Sequence, residues 1–545
     1  MTRHLIWLCL LLAPRLAVAE TPDVVIYGGT SAGVAAAVQV HRMGKRALLI
    51  EPGTHLGGLT SGGLGATDIG NKRAIGGIAR EFYGRVWEHY QREDAWVFQQ
   101  PAEYASGRQE SGEQTMWTFE PHVAEQIMQQ LVQEAGVPVV FGERLDLQQG
   151  VVKEGTDIVA IRMESGQTFR GHRFIDATYE GDLLALAGVS FHVGREGQDV
   201  YGESLNGVRT AKAVYHQLQP GVDPYVKPGD PTSGLLPGVL PGPPGEEGSG
   251  DHRVQAYCFR MCNTDCPENR IPFEKPEGYD ELRYELLLRN FEAGETRAPW
   301  HPTPMPNRKT DTNNNFGFST DNINMNYDWA TGDYATRARI FEEHRRYQQG
   351  LMWTLANHPR VPEPIRQEIS RYGNCRDEFL AGEGWSHQLY VREARRMISE
   401  YVMTQQNCQG ERVAEDSVGM AAYGMDSHHT QRYVDSDGFA RNEGDVQVGG
   451  FPPYPISYRA IVPRATECTN LLVPICLSAS HIAYGSIRME PVFMVLGQSS
   501  ATAACQSLDA RVPVQQIDVP ALQERLRADK QVLAYTGKQP AAKVK

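Results

Sequence analysis

A glycine-rich turn and one acid have the residue types and the spacing needed to bind a dinucleotide. The turn is Gly28-Gly29-Thr30-Ser31-Ala32-Gly33, and the acid is Glu51. Free amides at a helix start favour phosphate, and a carboxylate about 20 residues beyond such a turn accepts hydrogen bonds from ribose hydroxyls. An acid at this place disfavours a 2′-phosphate, so the pattern predicts a dinucleotide other than NADP.

The residues around the turn predict the elements that position it. Residues 24–27 form a short apolar run typical of a buried strand, an alanine-rich helix follows the turn, and residues 47–51 predict a second strand. Gly28 allows a sharp turn, and Gly33 lets the helix pack close to the sheet. Thr30 stands where the common pattern has its middle glycine. Its side chain must therefore turn away from the phosphate or contact it through the hydroxyl.

A second glycine-rich segment follows Glu51 closely. It reads Gly57-Gly58-Leu59-Thr60-Ser61-Gly62-Gly63-Leu64-Gly65. FAD is longer than nicotinamide dinucleotides and runs on past the second strand, and a glycine doublet lets the backbone approach it closely. The segment therefore favours FAD, and the alternative is a flexible surface loop.

Separated blocks in a fixed order point to a known family. Besides the turn and 56–58 (LGG), these blocks are 119–125 (FEPHVAE), 174–183 (FIDATYEGDL), 309–315 (KTDTNNN), 390–396 (YVREARR) and 485–491 (GSIRMEP). Over nearly the whole chain they resemble the FAD-dependent oxidoreductase family related to the flavoprotein core of heterodisulfide reductase. Many relatives are secreted proteins of unknown substrate, and some are labelled xanthan-lyase-like.

The resemblance implies an α/β fold of the glutathione-reductase-like class, with an FAD-binding Rossmann domain split around a second, mainly helical or irregular substrate domain. It also implies FAD contacts at Ala177 and Thr178, although Tyr179 stands where relatives commonly have glycine. The last cofactor helix would add Gly497 and Gln498, at the start of a run of small residues near the flavin. Arg488 would add a positive charge there. These residues complete a predicted cofactor site with Gly28, Gly29, Thr30, Ser31, Ala32, Gly33, Glu51, Gly57, Gly58, Leu59 and Thr60.

Length and composition predict two or three domains and a location outside the cytoplasm. The 545-residue chain carries a net charge of −13 and has no basic patch, which argues against nucleic acid as a partner. Residues 1–19 resemble a secretory leader with a small-residue cleavage site before Glu20, and no segment reaches membrane length. The leader has no twin arginine, so export before folding is expected, in a secreted or periplasmic protein that acquires FAD there.

The predicted domain boundaries follow from composition. They are a leader at 1–19, the first part of the FAD domain at 22–210, a substrate domain at 211–450, a return segment at 451–510 and a tail at 511–545. The patterns predict helices at 119–135, 333–357 and 389–404, a strand at 137–141 and a hairpin-like region at 151–175. A Pro/Gly stretch at 219–250 opens the second domain, in which little strand is expected.

Eight cysteines remain after the leader, and the sequence leaves their state open between disulfides and buried thiols. Cys258, Cys262 and Cys266 are spaced by four, but the chain has no Cys-x-x-Cys. The tight spacing that an iron–sulfur cluster needs is therefore missing. No metal site is predicted, and a calcium loop beginning at Asp311 lacks its distal glutamate.

Substrate and catalytic candidates lie in the second domain and the return segment. The polar loop 307–329 interleaves amides and carboxylates with aromatics, as a sugar site requires. A helix carrying Arg392, Arg395 and Arg396 would place the first and last of these arginines on one face, as an anion clamp or as a solvated surface. Flavin oxidation of an alcohol needs a base, for which the candidates are His428, His429 and His481.

We therefore expect a secreted FAD-dependent enzyme that oxidises a carbohydrate or similar polyol by hydride transfer to flavin and passes electrons to an unknown acceptor. Two alternatives remain at this point. One is an electron-transfer flavoprotein of the heterodisulfide-reductase type with an iron–sulfur cluster. The other is a non-enzymatic carbohydrate-binding protein on the same fold, which would have no need of two glycine loops.

Overall fold

The computed structural model describes residues 21–537 of the chain. The predicted leader and the final residues of the predicted tail lie outside the described residues. Within them, the chain forms a parallel sheet covered by helices, a second sheet that is antiparallel, and several short antiparallel ribbons.

The parallel sheet lies at the centre of the larger hydrophobic core. Its five strands follow the order Leu471–Leu472, Arg173–Asp176, Val24–Tyr27, Ala47–Glu51 and Val139–Phe141. The central strand is fully buried, as its apolar sequence predicts. This arrangement confirms the α/β fold class and the predicted strand–helix–strand unit. The outermost strand comes from late in the chain, as a split cofactor domain requires, while the domain boundaries themselves stay a prediction.

The described residues contain twelve α-helices. They are Ser31–Arg42, Gly77–His89, Pro121–Glu134, Asp182–Leu186, Gln198–Tyr201, Glu285–Glu292, Tyr334–Asn357, Glu363–Ile369, Gln405–Cys408, His481–Ile487, Glu490–Ala510 and Val519–Ala528. The helices predicted at 119–135 and 333–357 are confirmed within one or two residues at each end. Thr30 caps the first helix and Asp333 caps the long helix Tyr334–Asn357, each with its side chain.

Short antiparallel groups surround the main sheet. A three-stranded sheet of Val151–Glu154, Asp157–Arg162 and Thr168–Arg170 confirms the predicted hairpin-like region. Four two-stranded ribbons pair Phe191–His192 with Arg396–Met397, Ser417–Ala421 with Tyr454–Ser457, Met425–Ser427 with Val446–Val448, and Gln431–Val434 with Ala440–Glu443. The last three ribbons carry the chain through the region of the predicted catalytic histidines.

The prediction of little strand between residues 251 and 450 is wrong. Five antiparallel strands lie there in the order Arg270–Pro272, Gly373–Cys375, Met261–Thr264, Lys309–Asn314 and Trp300–Met305. The strand Lys309–Asn314 is polar in sequence yet almost entirely buried. Ion pairs of Lys309 and Asp311 replace the apolar side chains that a strand pattern normally shows.

The helix predicted at 389–404 is also absent. Tyr390 bridges to Cys258, and Arg396–Met397 is a short strand. The arginines of this segment are buried and point to carboxylates on separate elements, which an extended chain can reach and a helix cannot. Arg392 and Arg396 therefore do not share a helix face, and the predicted clamp geometry is wrong.

No helix among residues 21–537 combines the length and the apolar character that a membrane crossing requires.

The contact between helices Ser31–Arg42 and Glu490–Ala510 can be tested at Gly497. A Cβ atom there would collide with the carbonyl oxygen of Ala32, whereas a Cβ on Gly84, also inside a helix, would meet nothing closer than 3.8 Å. We expect Gly497→Ala to lower the free energy of unfolding by about 1–3 kcal/mol through overpacking. The control Gly84→Ala should raise it by about 0.5–1 kcal/mol through helix propensity.

Urea unfolding of both variants beside the wild type measures these differences. Equal stabilisation by the two substitutions would contradict the close approach of the two helices.

Candidate functional site

Two glycines shape the turn after the central strand. Gly28 has a φ of 103°, and a Cβ atom there would lie 2.7 Å from the carbonyl carbon of Ala177. A Cβ on Gly33 would collide with the carbonyl oxygen of Gly28. No side chain fits at either position, so the turn presents bare backbone and the helix amides to whatever binds above it.

Thr30 solves the problem that its place in the turn raises. Its hydroxyl donates to the carbonyl oxygen of Ala177 at 2.7 Å and accepts from the amide of Gly33 at 3.3 Å. The side chain therefore faces the sheet and caps the helix. The threonine turns away from the place where a phosphate would bind, and the backbone there remains as accessible as with glycine.

Glu51 joins the second strand to the turn. Its Oε2 accepts from the amide of Gly29 at 2.6 Å, and its Oε1 accepts from the amide of Gly53 at 2.6 Å. Burial raises the pKa of this carboxyl to about 7, and the two amides oppose that rise. The acid thus stands beside the turn with a protonation state that changes near neutral pH.

A cavity of about 500 Å³ opens at the carboxyl ends of the parallel strands. Ligands of open α/β sheets bind at this edge. The sheet side of the cavity contributes Gly28, Thr30, Glu51, Gly58 and Thr178, and the helix Tyr334–Asn357 contributes the facing wall through Tyr334, Arg337 and Phe341. Arg337 is held by Asp182 at 2.5 and 2.8 Å.

The second glycine segment lies directly against the turn. The amide of Gly57 donates to the carbonyl oxygen of Gly29 at 2.8 Å. A Cβ on Gly58 would collide with the hydroxyl of Tyr179, which also accepts from the amide of Leu59 at 2.8 Å. The structure thus brings together the two glycine segments and the strand end that the sequence analysis assigned to one cofactor site.

Glu490 connects these parts, and the sequence analysis missed it. Its buried carboxylate accepts from Ser31 Oγ at 2.6 Å, Thr60 Oγ1 at 2.7 Å and the Tyr179 hydroxyl at 2.7 Å. Burial raises its pKa. The one available signal was an acid beside Pro491 at a helix start in a block shared with the family. Glu490 ties the turn, the second glycine segment and the return segment to one point.

Gly497 and Gln498 lie elsewhere. Gly497 packs on Ala32, and Gln498 accepts from the amide of Ile78 at 2.9 Å and donates to Gln39 at 3.3 Å. Neither lines the cavity beside the turn. The structure gives both residues a packing role between helices, and the flavin contact that the resemblance implied stays a prediction.

A second polar group is centred on His428. Its Nδ1 lies 2.7 Å from Asp321 Oδ2, and Arg392 Nη1 lies 2.9 Å from Asp321 Oδ1. Burial alone would raise the pKa of Asp321. The charge of Arg392 and the contact with His428 outweigh that effect and hold this pKa well below its usual range. Asp321 is therefore a carboxylate at all ordinary pH values, fixed between an arginine and a histidine.

Asp426 and Arg488 complete this group on the other side of the imidazole. His428 Nε2 lies 3.6 Å from Asp426 Oδ2, and Arg488 Nη2 lies 3.3 Å from the same oxygen. Arg488 also donates to the Tyr390 hydroxyl at 2.6 Å. The side chain of Asp426 is 27% exposed and that of His428 is 12% exposed. The group therefore lies at an opening among otherwise buried residues.

The other two histidine candidates are more deeply buried. His429 Nε2 meets the carbonyl oxygen of His216 at 3.0 Å, and burial lowers its pKa. His481 is 1% exposed, with Nδ1 at 2.9 Å from Glu393 Oε2 and Nε2 at 2.9 Å from Ser427 Oγ. Both rings have structural partners, so His428 is the candidate best placed to meet a substrate.

No cluster of cysteines among residues 21–537 could hold iron. The one group there with ligand-like spacing is Glu120, His122 and Glu378. The ammonium of Lys309 already lies 2.8 Å from Glu120 and 2.7 Å from Glu378, so a cation of the protein itself occupies that place. The calcium loop considered at Asp311 is instead a strand, with Asp311 held by Arg260.

A sequence profile described as FAD-dependent oxidoreductase matches residues 23–526. The chain belongs to this family. No curated protein sequence matches the oxidoreductase. Its relation to heterodisulfide reductase in particular stays a prediction.

Parts of the oxidoreductase are similar to solved structures. These include L-proline dehydrogenase from P. horikoshii (15% identity, 33% of this chain and 59% of that chain, TM-score 0.23) and L-amino acid deaminase from Proteus vulgaris (14%, 33% and 54%, 0.23). Another is the anhydrotetracycline hydroxylase OxyS from Streptomyces rimosus (13%, 36% and 41%, 0.22). The oxidoreductase thus spans less than two thirds of each of these chains.

The residues beside the turn fit FAD, the cofactor of this enzyme family. Gly28 and Gly33 allow the tight turn that presents a helix start suited to a pyrophosphate, and the cavity reaches Glu51, whose oxygens are suited to ribose hydroxyls. Gly57 and Gly58 place a second stretch of backbone beside the turn. These residues would hold the adenosine diphosphate part of FAD.

Glu51 makes FAD affinity depend on pH. Because its pKa is about 7, the carboxylate form becomes dominant as the pH rises from 6 to 8, and only that form accepts from both ribose hydroxyls. We expect FAD to bind more tightly to the apoprotein across this range. Glu51→Gln should weaken binding about 10–100-fold at pH 8 and remove the pH dependence.

Quenching of FAD fluorescence during titration of the apoprotein measures both effects. Glu154→Gln, at an exposed turn between strands, is the matched control and should change neither. Retention of the wild-type pH dependence in Glu51→Gln would count against the assigned role.

Proposed function

We propose that this oxidoreductase is a secreted or periplasmic enzyme that oxidises a hydroxyl group of a carbohydrate or similar polyol. The observation that carries the proposal is the Asp321–His428 pair at 2.7 Å, flanked by Arg392 and Arg488. Arg488, which flanks the pair, lies between the helices His481–Ile487 and Glu490–Ala510, two residues before the Glu490 that anchors the cofactor turn.

The pair is suited to remove a hydroxyl proton. An ionised Asp321 at Nδ1 fixes the tautomer in which Nε2 carries the free lone pair, and it stabilises the imidazolium that forms after proton transfer. Arg392 keeps Asp321 ionised and oriented, so it is a positioning residue. FAD, when bound, supplies the acceptor for the hydride that leaves the substrate carbon.

Charged groups around Tyr390, whose hydroxyl Arg488 contacts, have unused hydrogen-bonding capacity, as hydroxyl-rich ligands require. Asp68 is 17% exposed, and Arg260 Nη1 lies 3.5 Å from it and has no hydrogen-bond partner. Asp426 also keeps an exposed carboxylate. Two carboxylates and a guanidinium can pair with neighbouring hydroxyls of one sugar ring.

The predicted sugar loop contributes less than expected. Asn324 and Asn326 donate to the carbonyl oxygens of Gly238 and Gln255, so these amides stabilise the protein itself. Of that loop, Asp321 contacts His428 and belongs to the proposed catalytic group. Support for a carbohydrate substrate therefore comes from Asp68, Arg260 and Asp426 and not from the asparagines.

The alternatives are less well supported. The described cysteines offer no cluster site for an electron-transfer flavoprotein. A binding protein without flavin would need neither the anchored glycine segments nor an ionised Asp–His pair. Purified protein that is colourless and does not take up added FAD would favour that second alternative.

His428→Gln tests the base. We expect it to slow bleaching of the bound flavin by substrate about 10²–10⁴-fold, the range typical of losing a general base, with unchanged FAD content. Anaerobic mixing with a panel of sugars and polyols measures the rate. His429→Gln should stay within a few-fold of the wild type, because the hydrogen bond of His429 goes to the backbone carbonyl of His216. Normal bleaching by His428→Gln would refute the assignment.

The location is tested separately. Expression of the full chain in a bacterium should give a periplasmic or secreted product. Its intact mass should match a chain that begins at Glu20. A product that remains in the cytoplasm with its first 19 residues would overturn the proposed location and leave the proposed chemistry untouched.

A further inference from the structure

Two cysteines face each other in the antiparallel sheet of the second domain. The strand Gly373–Cys375 pairs with Met261–Thr264 so that Asn374 lies opposite Asn263. The next residues in that register are Cys375 and Cys262, and their sulfur atoms are 3.6 Å apart. Among residues 21–537, no other two cysteine sulfurs are in contact. The Cys258 sulfur accepts from Arg392, and the Cys266 thiol donates to Glu268.

The backbone geometry suits a covalent bond between them. Facing residues of antiparallel strands have Cα atoms about 4.5–5.5 Å apart. That distance falls inside the range of about 4.4–6.8 Å that a disulfide spans without backbone movement. The two sulfur atoms are already in van der Waals contact, so a bond requires only a small change of side-chain torsion.

The surroundings show when such a bond must form. Both cysteines are 0% exposed, and Met305 and Phe379 pack around them. An oxidant cannot reach them in the folded sheet, so the pair must be oxidised before the strands close. A chain that crosses a membrane unfolded and folds in an oxidising compartment meets that condition.

We propose that Cys262 and Cys375 form a structural disulfide when the chain folds under oxidising conditions. The two thiols lose two protons and two electrons as the S–S bond forms. A disulfide of the exchange partner (a protein thiol oxidase in the cell, oxidised glutathione in vitro) is reduced to two thiols. The bond joins segments more than 100 residues apart and fixes the strand that neighbours Lys309–Asn314.

The test uses the full chain exported by its own leader, denatured in the presence of an alkylating reagent and without reductant, and then digested. We expect a peptide that links Cys262 to Cys375, with the other six thiols alkylated. A second arm does not depend on export, since the denatured, reduced chain is refolded in a buffer of reduced and oxidised glutathione. Alkylation of both cysteines in the refolded protein, or a bond from either one to another cysteine, would overturn the proposal.

Stability gives an independent readout. Closing a loop of this length constrains the unfolded chain, so reductant should lower the melting midpoint of the oxidised protein by roughly 5 °C. The double variant C262A/C375A should melt at the same temperature with and without reductant. The control C408A removes a buried thiol that has no sulfur contact and should keep the response to reductant. A reductant effect that persists in the double variant would contradict the assignment.

Discussion

The cofactor site depends on the hydrogen bonds that the carboxylate of Glu490 accepts. Three hydroxyl groups donate to it, from the helix that follows the turn, from the second glycine segment and from the end of a neighbouring strand. A buried acid without such donors would cost several kcal/mol or take up a proton. The three donors are held in place because the acid needs all of them. One residue from late in the chain thereby fixes the relative positions of three early segments.

Buried arginines play a comparable part in the second domain and its junctions. Arg260 pairs with Asp311, Arg337 with Asp182, and each pair is nearly inaccessible to water. Removing one partner of such a pair costs about 3–5 kcal/mol, because the other charge is left buried and alone. An apolar side chain can pack against many neighbours, whereas a buried guanidinium group is satisfied by few partners. These pairs therefore specify which strand lies beside which, at the expense of the hydrophobic pattern that usually identifies a strand.

This difference explains how far the sequence could be interpreted. The unit around Gly28 and the helix Tyr334–Asn357 follow local rules of apolar spacing and capping, and both were predicted correctly. The strand Lys309–Asn314 and the extended segment around Arg392 depend on distant carboxylates, and both were misassigned. Local propensity contains no information about a partner that lies far away in the sequence.

The same argument applies to the candidate site. The glycine segments and Glu51 were identified from spacing because a dinucleotide imposes a fixed distance along the chain. The partner of His428 is Asp321, 107 residues away, and nothing in either neighbourhood announces the pairing. Three histidines were therefore equal candidates in the sequence. Only the fold distinguishes the partly exposed His428 from the buried His429 and His481.

The proposed catalytic group has a further property that follows from its construction. Asp321 comes from the loop after a polar strand, Arg392 from an extended segment, His428 from the residues just after the strand Met425–Ser427, and Arg488 from between two late helices. No two of them share an element, so none of the local structures can assemble the group alone. The charges compensate one another only when the chain has returned to the first sheet. A partly folded chain would carry unpaired charges at this place, and the same residues that position the base therefore favour the complete fold over partial ones.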